Sequence, residues 1–439
     1  MTDVLDYLYS ARWDALDPAV QERVKLCLLD LLATGIVGSG TTLSRIIRNH
    51  VAGHMGGAVQ AHIPFDGRSA SPAGVALAHG MTIDSVDAHD GWNPVKGHIG
   101  CGLMPAVLAV AQAEGALSGA DFLATLAAGY EVTGRLGDAL HGTVPDYHTS
   151  GAWVAVGAAA CAARVLGLTR DQARHAMGIA EYHGPRSQMM RCIDHPTMLK
   201  DGSGYGSMAG VTAAYLAQAG FTGAPAITAE GEQAAPYFQD MESRSIILEQ
   251  YFKPYPICRW AQAPVEGVLA LATEYGLSSH DVDHIEVGTF HEAVRLATND
   301  PKTTEEAQYS TSYPCAVALV RGTVGLWEVS PEAFHDPEVQ RLSKGLQMVE
   351  NEEFNRSFPI QRHAKVKLHL RDGRVVSSDT TSPRWTAENP PTPAELRAKF
   401  HTYADPLLGE ARAARIEGAV DRLDQTDLGE LLDAVSAAP

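Results

Sequence analysis

Apolar residues recur at helical intervals through most of the first 260 positions. "LDPAVQERVKLCLLDLLATGIVG" (16–38) spaces Val20, Val24, Cys27, Leu28, Leu31 and Leu32 at i, i+3 and i+4 steps, behind Asp17 as N-cap and Pro18 at the first helical position. Capping boxes mark two further helix starts: Ser118 to Asp121 before "FLATLAAGYEVTGRL", and Thr169 to Gln172 before "ARHAMGIAEY". "TSGAWVAVGAAACAARVLG" and "GSMAGVTAAYLAQAG" are rich in alanine and glycine, which let helix axes approach closely, so both predict central helices packed on several sides. After about residue 265 the period changes. "VDHIEVGTFHE" and "AKVKLHLRDGRVVSSDTTS" alternate apolar and polar positions, the second around an Asp372-Gly373 turn that predicts a hairpin. "SYPCAVALVRG" and "PEVQRLSKGLQMV" between them read as helices, and the helical pattern returns from "TPAELRAKFHTYA" to the end. The fold class predicted is mainly α: a large all-helical domain (1–264 and 397–439) and a smaller α+β domain (265–396).

The 439 residues and 45% hydrophobic content fill two ordinary cores. No stretch approaches 18 consecutive apolar residues, and the first thirty residues carry charges throughout, so a cytoplasmic protein away from membranes is expected. Six scattered cysteines without a C-x-x-C pair suit reduced thiols. A net charge of −18 works against nucleic acid as a partner, and an anionic ligand would need local arginines and lysines to overcome that field.

Four clusters carry candidate chemistry. "VDAHDGWNPVKGH" (86–98) places Asp87, His89, Asp90, Lys96 and His98 between two apolar helices, where ionisable groups need partners. "PDYHTSGAW" sets Tyr147 and His148 just before the start of a small-residue helix, whose dipole favours an anion. "MLKDGSGYGSMAG" puts Lys200 ahead of three glycines in the wrong order for a phosphate loop; desolvation there would depress its pKa and suit it to acid or base work. "FKPYPICRWAQAP" contributes Lys253, Tyr255, Arg259 and Gln262. The Asp and His spacing of the first cluster fits no standard metal pattern, so no metal is expected. Taken singly, each cluster also has an ordinary structural explanation: a capping turn, a packed arginine, a surface lysine.

Jointly, and in this order, these segments resemble the MmgE/PrpD family: "DSVDAHDGWNPVKGHIGCGLMPAVLAVAQAEG", "SGADFLATLAAGYEVTGRL", "YHTSGAWVAVGAAACAARVLGL", "KDGSGYGSMAGVTAAYLAQAGFTGAPAI", "KPYPICRWAQAPVEGVLAL" and "AQYSTSYPCAVALVRG". The resemblance spans roughly residues 5 to 400. It implies an all-helical domain with an α+β lid, a homodimer, and catalysis without cofactor or metal on a small anionic carboxylate. The family's D-x-x-D pair falls on Asp87 and Asp90, its histidine before a second apolar helix on His98, its aromatic-histidine pair on Tyr147 and His148, and its catalytic lysine on Lys200. His148, Tyr147 and Lys200 are then the acid and base candidates, with Asp87 or Asp90 orienting a histidine. Lys200, His98, Arg186, Arg191 and Arg259, with Gln262 beside them, are candidates for holding carboxylates and the charge of an enediolate. The expected enzyme removes a proton next to a carboxylate of a di- or tricarboxylic acid, as a dehydratase or decarboxylase. Two departures weaken the dehydratase or decarboxylase reading: Gly91 stands where aconitate decarboxylase has a threonine, with a one-residue length difference before His98, and Gln262, which cannot shuttle a proton, stands where many members have a histidine. Gln262, the shorter chain and the Tyr147-His148 pair keep an epimerase of a dicarboxylate such as iminodisuccinate as the alternative. A non-catalytic carboxylate-binding protein is the further alternative. The homodimer has a second argument, that the alanine- and glycine-rich helices are too apolar to face water.

Overall fold

The computed structural model describes residues 3–115 and 117–439; Met1, Thr2 and Ala116, which the sequence-derived boundaries include, lie outside them. The chain is mainly α-helical, with a small four-stranded sheet in its C-terminal part. The helix Pro18–Gly38 begins as read, with Asp17 accepting from the Ala19 N–H and proline in the first turn. Beyond Leu26 every residue is buried, so it runs through the middle of the body instead of lying along its surface. Thr169 and Gln172 form the full capping box of Arg170–His183. At Gly119–Thr143 Ser118 caps the Asp121 N–H, but the Asp121 carboxylate accepts from the Ser118 hydroxyl and not from its backbone. No single helix among the described residues is long and apolar enough to cross a membrane.

The two small-residue helices, Gly151–Val165 and Ser203–Gln218, pack against each other and against Pro72–Asp84 and Gly100–Glu114. A Cβ on Gly206 would lie 2.5 Å from the Gly151 carbonyl, and one on Gly80 2.7 Å from the Gly204 Cα, so the four segments meet only because these positions carry no side chain. The apolar surface assigned above to a dimer is therefore largely consumed inside the chain: Gly151–Ala163 is buried throughout, and Ser203–Gln218 leaves Tyr205 and Leu216 outward. A dimer has to find its interface elsewhere.

One hydrophobic core joins these helices to Leu396, Phe400, Tyr403 and Ala404 of Pro393–Leu408 and to the closing helices. Lys399, buried in that helix, donates 2.6 Å hydrogen bonds to Asp30 and to the Ala88 carbonyl, fastening the tail beneath the 86–98 loop. A second core gathers Arg259–Tyr275, Tyr313–Arg321 and Pro337–Gly345 on the sheet. Its strands run in the order 347–350, 282–289, 364–370, 375–377; the first pair is parallel and the others antiparallel, with the hairpin at Asp372-Gly373 as read. "PEVQRLSKGLQMV" departs from the reading: its helix stops at Gly345, and Gln347–Glu350 pairs with Glu286–Thr289 as an edge strand. The open edge of the strand Val282–Thr289 supplies the partner that overrides the helical pattern. A third, smaller core, with Met189, Cys192, Ile193, Cys258, Trp260 and Tyr309, joins the two parts.

Candidate active site

Where the parts meet, the chain encloses a cavity lined by Asp87, Lys96, His98, Met189, Cys192, Ile193, Asp201, Tyr251, Lys253, Cys258, Arg259, Trp260, Tyr309 and Arg362. The non-atom space between its walls, open mouth included, is about 460 Å³. All six cysteines of the chain are buried free thiols.

The 86–98 loop forms one wall and is fixed along its length. The Asp87 N–H donates to Gln308 Oε1 at 2.9 Å, Ala88 is held by Lys399, Asp90 accepts from the Tyr130 hydroxyl at 2.7 Å, and the His98 N–H donates to Ser150 Oγ at 2.9 Å. Gly91 exchanges both backbone hydrogen bonds with Tyr251, at 3.0 and 2.8 Å, which ties this wall to the segment carrying Lys253. Of the ionisable groups between the two apolar helices, Asp90 has a partner for one carboxylate oxygen and His98 for its ring Nδ1, while Asp90 Oδ1 and His89 Nε2 are buried without one among the described residues.

Asp87 makes a direct ion pair with Lys253, both side chains being buried. Burial alone would raise the Asp87 pKa; Lys253 first, then His98 and Lys200, outweigh it and hold the carboxyl well below the usual carboxylate range. Burial likewise opposes the Lys253 charge, and Asp87 outweighs it, so the ammonium is raised. The pair is fully charged at neutral pH. Asp201, joined to the 86–98 loop through Ser150, behaves in the opposite way. Burial and then the charge of Asp84 push its carboxyl up to about 8, although Ser150 Oγ donates to it. One cavity therefore contains an ionised acid and a protonated one. Asp90, behind the wall, is pushed up to about 6 by burial against the Tyr130 hydrogen bond, and its Oδ1 has no partner among the described residues.

His98 is half-buried, and desolvation first and the charge of Lys253 second bring its pKa well below the usual value. Its Nδ1 lies 2.7 Å from the Asp90 carbonyl, which only accepts, so the proton sits on Nδ1. Nε2 keeps its lone pair, 3.9 Å from Asp87 Oδ1. The His89 ring stands edge-on behind it at 4.3 Å.

The C-terminal part supplies the other cations. Arg259 opens the helix Arg259–Tyr275. One of its nitrogens, Nη1, donates to the Phe252 carbonyl (3.1 Å), Gln262 Oε1 (3.1 Å) and the Arg384 carbonyl (2.8 Å). Its Nε and Nη2 are buried and have no partner among the described residues. The guanidinium lies 4.4 Å above the Tyr251 ring, and burial pushes its pKa down to about 9. Arg362, also buried, is held by the side chain and carbonyl of Asn93, and its Nε is likewise unpartnered among the described residues. Lys96, at the mouth, donates to the Pro94 carbonyl at 3.1 Å and has its pKa lowered to about 8, by burial first and then by Arg362.

The structure thus brings Asp87, His98 and Arg259 onto one cavity. Lys200 sits one layer behind it, buried, at φ +49°, with Nζ donating to Gln308 Oε1 at 3.0 Å and lying 4.6 Å from the Tyr309 ring centroid. Gln308 accepts there and at the Asp87 N–H, so it links Lys200 to the wall. Gln262 does not line the cavity: its Oε1 holds Arg259 while Nε2 donates to the Ile257 carbonyl at 3.3 Å. Tyr147 is 39% exposed and reaches the cavity only through Lys96, whose Nζ lies 3.5 Å from its ring centroid. His148 is half-buried outside it, facing the Asp146 carbonyl and bridged to Gln188. Arg186 and Arg191 are exposed and off the cavity. In the short helix Met190–Asp194 the buried face is Cys192 and Ile193, which turns Arg191 outward. Among the described residues no three His, Cys, Asp or Glu are arranged to hold a metal ion.

Sequence reasoning did not single out Asp201, Tyr251 or Arg362 and gave Lys253 no role. Asp201 adjoins Lys200, and Lys253 opens a segment already noted; both were within reach. Arg362 lies in "FPIQRHAK", which has no pattern to mark it.

The fold and this junction define a mainly helical protein with a smaller α+β part and a buried polar cavity where the two meet. The chain belongs to the MmgE/PrpD family: the MmgE/PrpD N-terminal domain matches residues 2–241 and the MmgE/PrpD C-terminal domain residues 255–425. It is similar to the cis-aconitate decarboxylase-like protein oryM of Aspergillus oryzae (24% identical, over 95% of this chain and 93% of that protein). It is also similar to the cis-aconitate decarboxylases of Mus musculus (22%, over 98% and 92%) and Homo sapiens (25%, over 89% and 84%). The protein is an MmgE/PrpD-type enzyme, and at the level of the family a lyase.

Proposed function

We propose that this enzyme moves a proton at the carbon beside a carboxylate of a small di- or tricarboxylic acid, with a lyase outcome, and that it does so without cofactor or metal. One observation carries the reading: in a chain of net charge −18, a single cavity collects Lys96, His98, Lys253, Arg259 and Arg362, and two of its guanidiniums hold buried N–H groups with no partner among the described residues. Buried donors without partners are costly, about 1–3 kcal/mol each, and an anionic ligand with planar oxygens satisfies them. The names of the relatives support unsaturated tricarboxylates as the first acids to test.

In this reading Arg259 and Arg362 hold the carboxylates. In a dehydration His98 Nε2 accepts the proton from the carbon, with Asp87 beside it opposing the fall in basicity that desolvation and Lys253 impose. In that reaction Asp201, protonated at neutral pH, gives its proton to the departing hydroxyl; in a decarboxylation no carbon proton is removed, and Asp201 protonates the carbon left with the electron pair when CO2 departs. Opposed pKa shifts within one cavity are the usual mark of such a division between base and acid. Gln262 orients Arg259, and in this reading proton transfer does not pass through position 262.

NMR of citrate, methylcitrate, cis-aconitate and iminodisuccinate with the enzyme in deuterated water tests the reading. Loss of water or CO2, with new alkene signals, is expected from at least one acid. Deuterium wash-in with inversion and no alkene would move the assignment to an epimerase. If no acid in the panel is bound or converted, the carboxylate reading is wrong.

Asp201 gives a second expectation. A proton donor with a pKa of about 8 makes activity fall as pH rises through that value. Its folded-state pKa lies above the unfolded one, so the native state binds more protons between about 4 and 8, and Asp201 lowers stability as pH rises through that window. Asp201→Asn is therefore expected to lose at least ~10²-fold in turnover while flattening the decline of melting temperature between pH 6 and 9. Retained turnover with an unchanged alkaline limb would assign the acid elsewhere.

A further inference from the structure

Tyr251 is buried, lines the cavity, and makes no hydrogen bond through its hydroxyl to any described residue. Its backbone is locked to Gly91 in both directions, and its ring is held under the Arg259 guanidinium at 4.4 Å. A tyrosine so fixed normally finds a partner for its O–H. The position of that hydroxyl is set by Gly91. A Cβ there would lie 2.4 Å from the Tyr251 oxygen, 2.5 Å from its Cζ and 2.8 Å from His98 Nδ1, so any side chain at 91 would displace the phenol. Gly91 has no positive φ to explain it. Its lack of a side chain is what lets the phenol stand beside His98, whose ring centroid is 6.4 Å away, among Lys253, Arg259 and Arg362.

We propose that Tyr251 is a substrate-contacting catalytic residue, its hydroxyl donating a hydrogen bond to the carboxylate oxygen that gains charge as the neighbouring carbon loses its proton, and that Gly91 is the residue that admits it. The inference rests on the carboxylate reading above. Burial keeps the phenol protonated, its pKa being raised despite the nearby cations, so it acts as a donor throughout. A fixed donor aimed at developing charge contributes to kcat and little to ground-state binding.

The test measures kcat, KM and melting temperature for Tyr251→Phe, Gly91→Ala and the double variant, on the acid that the native enzyme converts. Tyr251→Phe keeps the ring and its stacking and is expected to lower kcat about 10²-fold, with KM within about threefold and melting unchanged. Gly91→Ala displaces the same hydroxyl and should show a similar loss. The double variant should be no more than about threefold worse than either, because one interaction has been removed twice. A kcat for Tyr251→Phe within threefold of native, a loss confined to KM, or a loss that tracks lowered melting overturns the proposal. Losses that multiply in the double variant overturn the pairing of the two residues. If Gly91→Ala does not fold, Tyr251→Phe alone decides. Native turnover indifferent to Tyr251 leaves the carboxylate reading standing; a native enzyme that neither binds nor converts any acid, propane-1,2,3-tricarboxylate included as a binding probe, overturns both.

Discussion

Replacing Lys253 by methionine is expected to abolish useful turnover, by at least about 10³-fold, and to lower the melting temperature by several degrees. Methionine keeps most of the volume, so the effect is that of the charge. Lys253 is the direct partner of Asp87 in a cavity where neither side chain reaches bulk water. Removing one member of a buried pair leaves the other uncompensated, a cost of about 3–5 kcal/mol. Turnover suffers for a separate reason: an unneutralised Asp87 beside His98 repels the carboxylate that the cavity is built to receive, and a general base and a charge-stabilising group are disturbed together. The pH dependence separates the two effects. In the native protein the Asp87 pKa is depressed, so its stabilisation is present above the unfolded carboxylate value and is lost only when pH falls through the lower folded value. Without Lys253 burial dominates and the folded pKa rises above the unfolded one. The variant then binds an extra proton when folded, and its stability falls as pH rises. The melting gap between variant and native protein is therefore expected to widen from pH 5 to pH 8. Adding Asp87→Asn should narrow that gap without restoring turnover. Activity within tenfold of native in Lys253→Met would remove the ion pair from the mechanism.

The parts of this molecule legible in its sequence are those whose cause is local. Helix starts at Asp17 and Thr169 follow from hydrogen bonds between residues three apart or fewer, and the Asp372-Gly373 hairpin from one turn. The cluster at 86–98 stood out because ionisable residues beside apolar helices need partners, and the structure supplies Lys253 to Asp87 and the Tyr130 hydroxyl to Asp90. Those partners were not legible: Lys253 lies 166 residues from Asp87, and Arg362 lies 269 from Asn93, distances over which no periodicity reports. Resemblance pointed to Asp87, His98 and Lys200, which the structure places on or just behind the cavity, but could not say that Lys200 stands behind Tyr309, nor that Gln262 faces Arg259 and not the cavity. Direction is the missing quantity. Tyr147 and His148 precede a helix as read, yet a β-bridge from His148 to Gln188 and the stacking of Tyr147 under Lys96 place both outside the cavity. Gly91 shows the same limit in reverse: as a departure from a family pattern it looked like a loss, and only the position of the Tyr251 ring gives it a physical reason.

Arg259→Lys is expected to raise KM for the carboxylate substrate by about 10²-fold while changing kcat less than about fivefold, with the fold intact. The native guanidinium divides its work. Nη1 is occupied by the Phe252 and Arg384 carbonyls and by Gln262, and the remaining Nε and Nη2 are buried without a partner among the described residues. These two nitrogens form one edge of a planar fork, the geometry that binds both oxygens of a carboxylate at once. Burial pushes the Arg259 pKa down to about 9, with Arg362 adding to the effect, so the empty site holds a cation at a disadvantage that a bound anion relieves. A lysine there keeps a positive charge and satisfies some of the carbonyls, which protects stability. Its single ammonium then has no second edge to offer and cannot lie flat over Tyr251. Losing two charge-assisted hydrogen bonds that exist equally in ground and transition states weakens binding by about 3 kcal/mol and leaves the chemical step nearly untouched. Thermal shift with propane-1,2,3-tricarboxylate reads the same interaction without catalysis: native protein should be stabilised by the ligand, and Arg259→Lys should show little of that shift at the same concentration. An unchanged KM and an unchanged ligand shift would mean that the buried edge of Arg259 faces no substrate, and the carboxylate would have to be held by Arg362 and Lys96 alone.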